Sequence, residues 1–312
     1  MRSAFFNVLE ELSKKDKEFF ILTADLGFKL FNNFRINCND RFYDIGVAEA
    51  NMISIAAGLS FCGKLVYCYS IIPFLIMRAY EQIRIDVAYN NLNVKLIGVG
   101  GGFTYGLEGF THFGLEDLTL MRSLPNMTIV VPADPNEAKS LAKVSSEYKG
   151  PMYIRLGRTG TPEIYKKIQD IKIGKAVILN EGKHLAIFAI GNMVYIGKQV
   201  IDKLAQKGID ATLINMHTLK PLDSKTILEI ASTHNVIFSM EEHNINGGLG
   251  SAIAEVLIEN GYKGLFRRIG IDGLKKIVGN ADFLREKHGL TFDEIYKKIL
   301  NSMRKENYEL EA

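Results

Sequence analysis

The sequence lacks several features, and each absence excludes a class of protein. No apolar run reaches the roughly 18 residues of a membrane-spanning helix, and no basic segment followed by a short apolar one opens the chain. The three cysteines, Cys38, Cys62 and Cys68, form neither a CxxC pair nor an even framework, which favours a reducing compartment. A cytoplasmic protein that contacts no membrane is therefore expected.

Strong charge and metal-binding patterns are also missing. The formal net charge is only +3, from 38 basic and 35 acidic residues, and no cluster of Lys and Arg with interleaved aromatics occurs. A nucleic-acid partner is therefore not expected. The six histidines show neither HxxxH nor HExxH spacing, so the sequence predicts no metal site within this chain.

What the sequence does contain is an alternation of strand-like and helix-like segments in both halves. Short apolar runs typical of buried strands, such as "FFILTA", "NVKLIGV" and "HLAIFAIG", are separated by segments with helical apolar spacing. Asp134 and Pro135 are residue types typical of an N-cap and a first helical position. This alternation predicts an α/β protein with two open, mostly parallel sheets.

The length of 312 residues suits two domains of ordinary size. Between about 160 and 182 the helical period disappears and turn-forming residues become frequent. We therefore predict one domain at 1–165, a linker at 166–182 that could pair as an edge strand, and a second domain at 183–312.

Glu49 is an acid within a long stretch of small and apolar residues, "RFYDIGVAEANMISIAAGLSFCG" at 41–63. An acid in the first turn of a helix is common, because its charge meets the positive end of the helix dipole. The same position also suits a carboxylate half-buried by apolar neighbours, which could hold or exchange a proton with a buried heterocycle. Both interpretations remain open on position alone.

A glycine-rich loop follows a predicted strand, with seven glycines in the segment 98–117, "GVGGGFTYGLEGFTHFGLED". It matches neither a dinucleotide fingerprint nor a P-loop. His112, the only histidine in the first 180 residues, has Glu108, Glu116 and Asp117 close by. Open α/β sheets bind ligands at the carboxyl ends of their strands, so His112 is either a site residue or a structural one.

The segment 241–255, "EEHNINGGLGSAIAE", combines two acids, His243 and glycines that open a helix. Its glycines could receive an anion at the helix start. A tight turn with helix–sheet packing and a subunit contact is the favoured interpretation.

Five sequence blocks closely resemble the C-terminal half of transketolases and, more narrowly, the C-terminal subunit of split transketolases. The likeness runs from Arg2 to about residue 300, in order and with few gaps. The blocks are "RFYDIGVAEANMISIAAGLSFCGK", "AYEQIRIDVAYNNLNVKLIGV", "YGLEGFTHFGLEDLTLMRSLPNMTIVVPAD", "GPMYIRLGR" and "MHTLKPLD" with "EEHNINGGLGSAIAEVL". The resemblance implies a pyrimidine-binding domain for thiamine diphosphate, followed by the transketolase C-terminal domain.

The resemblance also implies which residues contact the cofactor. Glu49 matches the glutamate that hydrogen-bonds N1′ of the aminopyrimidine and favours the imino tautomer, whose 4′ nitrogen takes the thiazolium C2 proton. A semi-buried carboxyl group suits such a proton relay. Phe74 matches the residue that stacks on the pyrimidine ring, and Asp25 matches an aspartate near the cofactor and the subunit interface.

Three further residues match substrate-binding positions of the family. His112 matches a histidine that faces the substrate, Arg158 matches an arginine that binds a sugar phosphate, and Glu108 replaces an aspartate that contacts donor hydroxyls. Two departures accompany Glu108: Phe110 replaces a proline, and Gly100 replaces a histidine found in many transketolases. A changed donor pocket is therefore expected.

The resemblance finally implies a partner chain. Family members bind the diphosphate through Mg²⁺ on a G-D-G…N motif in an N-terminal domain, and this chain has no GDG. Mg²⁺ and the diphosphate are therefore expected on an N-terminal subunit, with this chain inactive alone and dimerised in a two-plus-two assembly.

The leading hypothesis is one subunit of a transferase that moves a two-carbon ketol unit between sugars or sugar phosphates. The same fold could act instead on a modified or nucleotide-linked sugar, or on a 2-oxo acid. A non-catalytic scaffold subunit is the alternative of a different class, and the acid at Glu49 argues against it.

Overall fold

The structure, a computed structural model, describes residues 1–157 and 160–305. The strands are β1 (Phe19–Thr23), β2 (Phe42–Asp44), β3 (Leu65–Ile71), β4 (Val94–Val99), β5 (Thr128–Val130), β6 (Met152–Leu156), β7 (Val177–Asn180), β8 (Leu185–Ala189), β9 (Ala211–Asn215), β10 (Thr218–Lys220), β11 (Val236–Asn244) and β12 (Leu265–Ile271). The α-helices are α1 (Arg2–Ser13), α2 (Asn32–Asn37), α3 (Glu49–Phe61), α4 (Tyr80–Gln82), α5 (Asp117–Arg122), α6 (Pro135–Glu147), α7 (Met193–Ala205), α8 (Ser224–Thr233), α9 (Leu249–Glu259), α10 (Ala281–Lys287) and α11 (Phe292–Lys305).

The strands form two sheets, which confirms the predicted α/β class with mostly parallel strands. The first sheet has the order β10-β5-β6-β4-β3-β1-β2, and the second has the order β12-β11-β8-β9-β7. Each sheet contains one antiparallel pair, β10 with β5 and β7 with β9. The edge strand β7 lies within the stretch that the sequence predicted as a linker able to pair.

Continuous apolar runs became the central strands of both sheets. Every residue of β4 in the first sheet and of β8 in the second is buried. Helices cover both faces of parallel sheets, so their central strands need apolar side chains on both sides. One hydrophobic core runs through both halves of the chain, since Leu118 and Val131 belong to the same buried cluster as Phe188 and Met216.

The two halves are also joined through hydrogen bonds. Strand β10 belongs to the second half of the chain but pairs with β5 of the first sheet.

The predicted N-cap at the start of α6 is confirmed. The Asp134 carboxylate accepts from the backbone N–H of Glu137, and Pro135 is the first helical residue. The same carboxylate accepts from the N–H groups of Ile164 and Tyr165, so this cap also holds the chain that leaves the first domain.

The helical segment after β3 is irregular. Two π-helical segments, Pro73–Met77 and Ile83–Tyr89, flank the short α4. One apolar side of this segment is buried, at Leu75, Ala79 and Val87. Wide helical turns of this kind are frequent at functional sites.

No helix in the described part of the chain combines the length and the apolarity needed to cross a bilayer.

The pH dependence of stability offers a first test of the packing between the halves. Glu137 is buried in the first turn of α6, where its carboxyl oxygens accept from the Ala133 N–H at 2.5 Å and the Asn215 amide at 2.8 Å. Burial raises the pKa of Glu137 to about 8 from 4.5. Between these values the folded chain retains a proton that the unfolded chain releases, so the free energy of unfolding falls as pH rises, by about 1.4 kcal/mol per pH unit for one proton.

Glutamine mimics the protonated acid but cannot ionise. We expect Glu137→Gln to become progressively more stable than the wild type between pH 5 and pH 8, as measured by urea unfolding at several pH values. A stability difference that is the same at every pH would contradict this assignment.

Candidate functional site

Those predicted site residues that the structure describes lie at the carboxyl edge of the first sheet. Strands β1, β2, β3 and β4 are parallel, so the segments that follow them emerge at the same edge. Asp25 follows β1, Glu49 begins the helix after β2, and Phe74 follows β3. The glycine-rich loop with His112 follows β4. Ligands of open α/β sheets bind at this edge.

Glu49 is the first residue of α3, and its side chain is only 4% exposed. Ser70, at the carboxyl end of β3, donates its hydroxyl to Oε1 at 3.5 Å. Arg78 donates to Oε2 at 3.4 Å. The buried carboxylate thus has two long, weak contacts, which leaves it capacity for a stronger hydrogen-bond donor.

An aromatic ring lies beside this acid. The guanidinium carbon of Arg78 is 4.1 Å from the centre of the half-buried Phe74 ring. The ring of His112 meets Phe74 edge-on, with 4.9 Å between the ring centres. The structure therefore links Glu49 to Phe74 through Arg78, and Phe74 to His112 through a ring contact.

The glycine-rich loop is closed by hydrogen bonds between residues on either side of His112. The N–H of Gly102 donates to the carbonyl of Gly114 at 2.8 Å, and the N–H of Gly114 donates to the carbonyl of Gly102 at 3.1 Å. Phe103 and Phe113, next to this closure, are buried. Within the closed loop, His112 is held by a contact between its Nδ1 and the Thr111 hydroxyl at 2.9 Å.

The structure explains why position 100 is a glycine. Its φ of +96° is a conformation that favours glycine, and a Cβ there would lie 2.3 Å from the ring of Tyr105. Tyr105 also lies 6.2 Å, between ring centres, from His112. The space beside Gly100 is therefore occupied by a tyrosine ring from further along the loop.

The remaining predicted site residues lie apart from this group or outside the described residues. Glu108 and Phe110 are exposed on the loop, and Phe110 is 62% accessible. The N–H of Asp25 donates to the Asp44 carboxylate at 2.8 Å, and no contact among residues 1–157 and 160–305 joins Asp25 to Glu49. Arg158 lies outside the described residues.

Sequence reasoning missed three neighbours of this site, Ser70, Arg78 and Tyr105. Ser70 could have been found as the last polar residue of a buried strand that ends beside the predicted site. Arg78 follows Phe74 by four residues, a spacing at which helical side chains meet. Tyr105 carried no usable signal, because its position depends on how the glycine-rich loop closes.

A buried charged cluster supports the loop from behind. The Asp117 carboxylate accepts from Arg155 Nε at 2.9 Å and from the Tyr153 hydroxyl at 2.6 Å. Arg155 also donates to the carbonyls of Gly114 and Glu242, at 2.7 and 3.1 Å. This cluster joins the first sheet, the loop and β11 of the second sheet.

The segment at 241–255 forms the tight turn that was favoured from the sequence. Glu241 accepts from the N–H groups of Leu249 and Gly250, both at 2.8 Å, so its own carboxylate takes the first amides of α9. A Cβ on Gly248 would lie 1.9 Å from that carboxylate, which explains the glycine. Burial raises the pKa of Glu241 to about 7.

Within the residues that the structure covers, no group of three or more His, Cys, Asp or Glu side chains could hold a metal ion.

Comparisons with known proteins agree with this architecture. Residues 1–163 match the transketolase pyrimidine-binding domain, and residues 174–295 match the transketolase C-terminal domain. The chain is 38% identical to one subunit of the apulose-4-phosphate transketolase of Actinobacillus succinogenes, over 84% of this chain and 85% of the relative. It is 37% identical to a 6-deoxy-6-sulfo-D-fructose transketolase subunit of a Clostridium species, over 99% of this chain and 96% of the relative.

A solved structure described as a split gene transketolase, inactive beta4 tetramer, matches with a TM-score of 0.90 and 34% identity. The match covers 97% of this chain and 98% of that chain. The chain therefore belongs to the transketolase family, in which it corresponds to the C-terminal section, the pyrimidine-binding domain followed by the C-terminal domain.

Proposed function

We propose that this chain is the pyrimidine-binding subunit of a thiamine-diphosphate-dependent enzyme that transfers a two-carbon ketol unit between sugars. The observation that carries the proposal is the buried Glu49 carboxylate, which Arg78 joins to the Phe74 ring, with the His112 ring in contact with Phe74. In this proposal residues 1–165 bind the pyrimidine, and residues 183–312 form the C-terminal domain after the linker at 166–182.

The side-chain arrangement fits the pyrimidine half of the cofactor. The Arg78 guanidinium is planar, stacks on Phe74 and donates a hydrogen bond to Glu49. An aminopyrimidine ring would need these same two contacts, a stacking surface and a carboxylate acceptor. Because half of the Arg78 side chain is exposed, at 51%, it can swing out to solvent and leave both partners to the cofactor.

Each residue then has a role in the reaction. Glu49 holds a proton at N1′ of the pyrimidine, Phe74 orients the ring, and Asp25 lies nearby at the same sheet edge. The bound cofactor supplies the carbon nucleophile for the ketol transfer. His112, Glu108 and Arg158 bind the sugar, and His112 is placed to exchange protons with its hydroxyl groups.

The diphosphate and Mg²⁺ belong to a second chain in this proposal. Mg²⁺ sites combine a few carboxylates with substrate phosphates, and the described residues offer no such acidic cluster. A related structure described as a split gene transketolase, inactive beta4 tetramer, supports the need for a second subunit. We propose that this partner is an N-terminal subunit that carries the G-D-G…N motif. We propose a two-plus-two assembly built on a dimer of this chain.

The identity of the sugar donor is a separate part of the proposal. Two observations favour a modified sugar. Relatives at 38% and 37% identity are named for apulose 4-phosphate and 6-deoxy-6-sulfo-D-fructose. The ring of Tyr105 fills the space at Gly100, and Phe110 lies exposed on the loop. We propose that these rings reshape the donor pocket away from ordinary ketose phosphates.

Cofactor binding can test the division between two chains. We expect titration calorimetry of thiamine diphosphate with Mg²⁺ to show tight binding only when an N-terminal partner with the G-D-G…N motif is present, because the diphosphate ligands lie there. Tight binding to this chain alone would mean that the diphosphate site is within it. No binding in either mixture would favour a scaffold subunit.

The proton-holding role is tested by Glu49→Gln in the assembled enzyme. Glutamine keeps the size but cannot hold the proton at N1′, so kcat should fall by about 10²-fold or more. Glu137→Gln is the matched control, since Glu137 is also a buried acid in the first turn of a helix but lies on α6. An active Glu49→Gln enzyme with normal kcat would refute the mechanism.

Donor preference is tested by comparing kcat/KM for three donors with one acceptor aldose phosphate. We expect apulose 4-phosphate or 6-deoxy-6-sulfo-D-fructose to exceed fructose 6-phosphate by about 10-fold or more, since a pocket shaped for one hydroxyl pattern rejects others. Highest activity with fructose 6-phosphate would instead assign an ordinary transketolase donor.

A further inference from the structure

We propose that the C-terminal domain positions the substrate loop of the pyrimidine-binding domain, and that Glu242 is the residue through which it does so. The substrate loop is defined here as residues 100–114, which carry Glu108 and His112. The inference rests on the proposed function for its catalytic consequence, but the contacts themselves do not depend on it.

Glu242 reaches from β11 into the base of the substrate loop. Its side chain is buried, and its Oε1 accepts from the backbone N–H of Phe103 at 2.8 Å. Its backbone carbonyl accepts from Arg155, which also donates to the carbonyl of Gly114. Phe103 therefore contacts Glu242 directly, and Gly114 is linked to Glu242 through Arg155.

The carboxylate of Glu242 is itself held in place by the C-terminal domain. Arg285, in α10, donates to Oε2 from Nε at 3.1 Å and approaches it with Nη2 at 3.0 Å. Asn192, at the start of α7, donates to the same oxygen. The negative charge of Glu242 raises the pKa of Arg285, which reflects the close approach of the two groups.

The loop sequence is adapted to this contact. A Cβ at Gly102 would lie 2.4 Å from the Glu242 carboxyl carbon, and Gly102 has a φ of +66°. Only glycine permits both the close approach and the backbone conformation. Gly102 is also the residue whose hydrogen bonds to Gly114 close the loop.

A second glycine of the loop, nearer its tip, also lies in close contact with the C-terminal domain. The N–H of Gly279 donates to the carbonyl of Gly106, and a Cβ on Gly106 would lie 2.3 Å from the carbonyl oxygen of Gly279. The ring of His288 packs at 4.9 Å, between ring centres, from Phe103. The C-terminal domain thus contacts the loop at its base and on the turn that leads to Glu108.

The consequence concerns the substrate rather than the cofactor. Glu49 and Phe74 lie outside the substrate loop, whereas His112 lies within it, so loss of the Glu242 contact should misplace the sugar-binding groups and leave the pyrimidine contacts intact. Glu242 is therefore a positioning residue. Small displacements of binding groups reduce turnover steeply, by about 10²-fold for roughly 1 Å.

The test compares Glu242→Ala with Glu241→Gln in the full chain. Both residues are buried acids on β11, but Glu241 caps α9 and does not contact the loop in the described structure. We expect Glu242→Ala to raise amide hydrogen-exchange rates across 102–114 by about 10-fold or more, and Glu241→Gln to leave them unchanged. Gly102→Ala is a second variant, for the case in which Glu242→Ala does not fold. It retains the Glu242 carboxylate and should raise the loop exchange rates by the same factor.

Kinetics in the assembled enzyme complete the test. Glu242→Ala and Gly102→Ala should lower kcat/KM for the sugar donor by about 10- to 100-fold, with the dissociation constant of thiamine diphosphate unchanged within about twofold. Loop exchange at wild-type rates in both variants, or faster exchange with unaltered kcat/KM, would overturn the inference. If the wild type shows no ketol transfer, the proposed function fails, and the exchange experiment still decides whether Glu242 holds the loop.

Discussion

The ion pair between Asp117 and Arg155 is the interaction on which most of this structure depends. Both side chains are almost fully buried. Removing one partner of such a pair lowers the free energy of unfolding by about 3–5 kcal/mol, because it leaves the other charge buried without compensation. The expense of burying two charges is offset because the remaining donors of Arg155 bind the loop and β11, and Asp117 accepts from Tyr153. One charged pair therefore sets the relative positions of a sheet, a loop and a neighbouring domain.

The fold and the centre of the candidate site were largely predictable from sequence, for reasons that differ between residues. Apolar runs such as those of β4 and β8 indicate buried parallel strands, and Asp134 with Pro135 marks a helix start, because each signal is local. Glu49 is conspicuous as an acid among apolar residues. Tyr105 and Glu242 could not be found in this way, since their partners are distant in the chain and depend on how the loop closes against the second domain.

The site shows a division of labour between the two domains. The pyrimidine-binding domain supplies Glu49 and Phe74 from a helix start and a strand end. His112 and Glu108, the proposed sugar-binding groups, lie instead on a loop that the C-terminal domain contacts at Phe103 and Gly106. In the proposed function, the groups for the cofactor therefore lie on regular elements, and those for the donor lie on a loop supported by the other domain.

Strand β10 has a consequence for how this chain can be divided. It comes from the second half of the chain yet completes the edge of the first sheet beside β5. If the second half of the chain were removed, β5 would become an edge strand with unpaired backbone groups, a surface that promotes aggregation. The first sheet therefore depends for its protected edge on a segment that lies more than fifty residues beyond its last other strand.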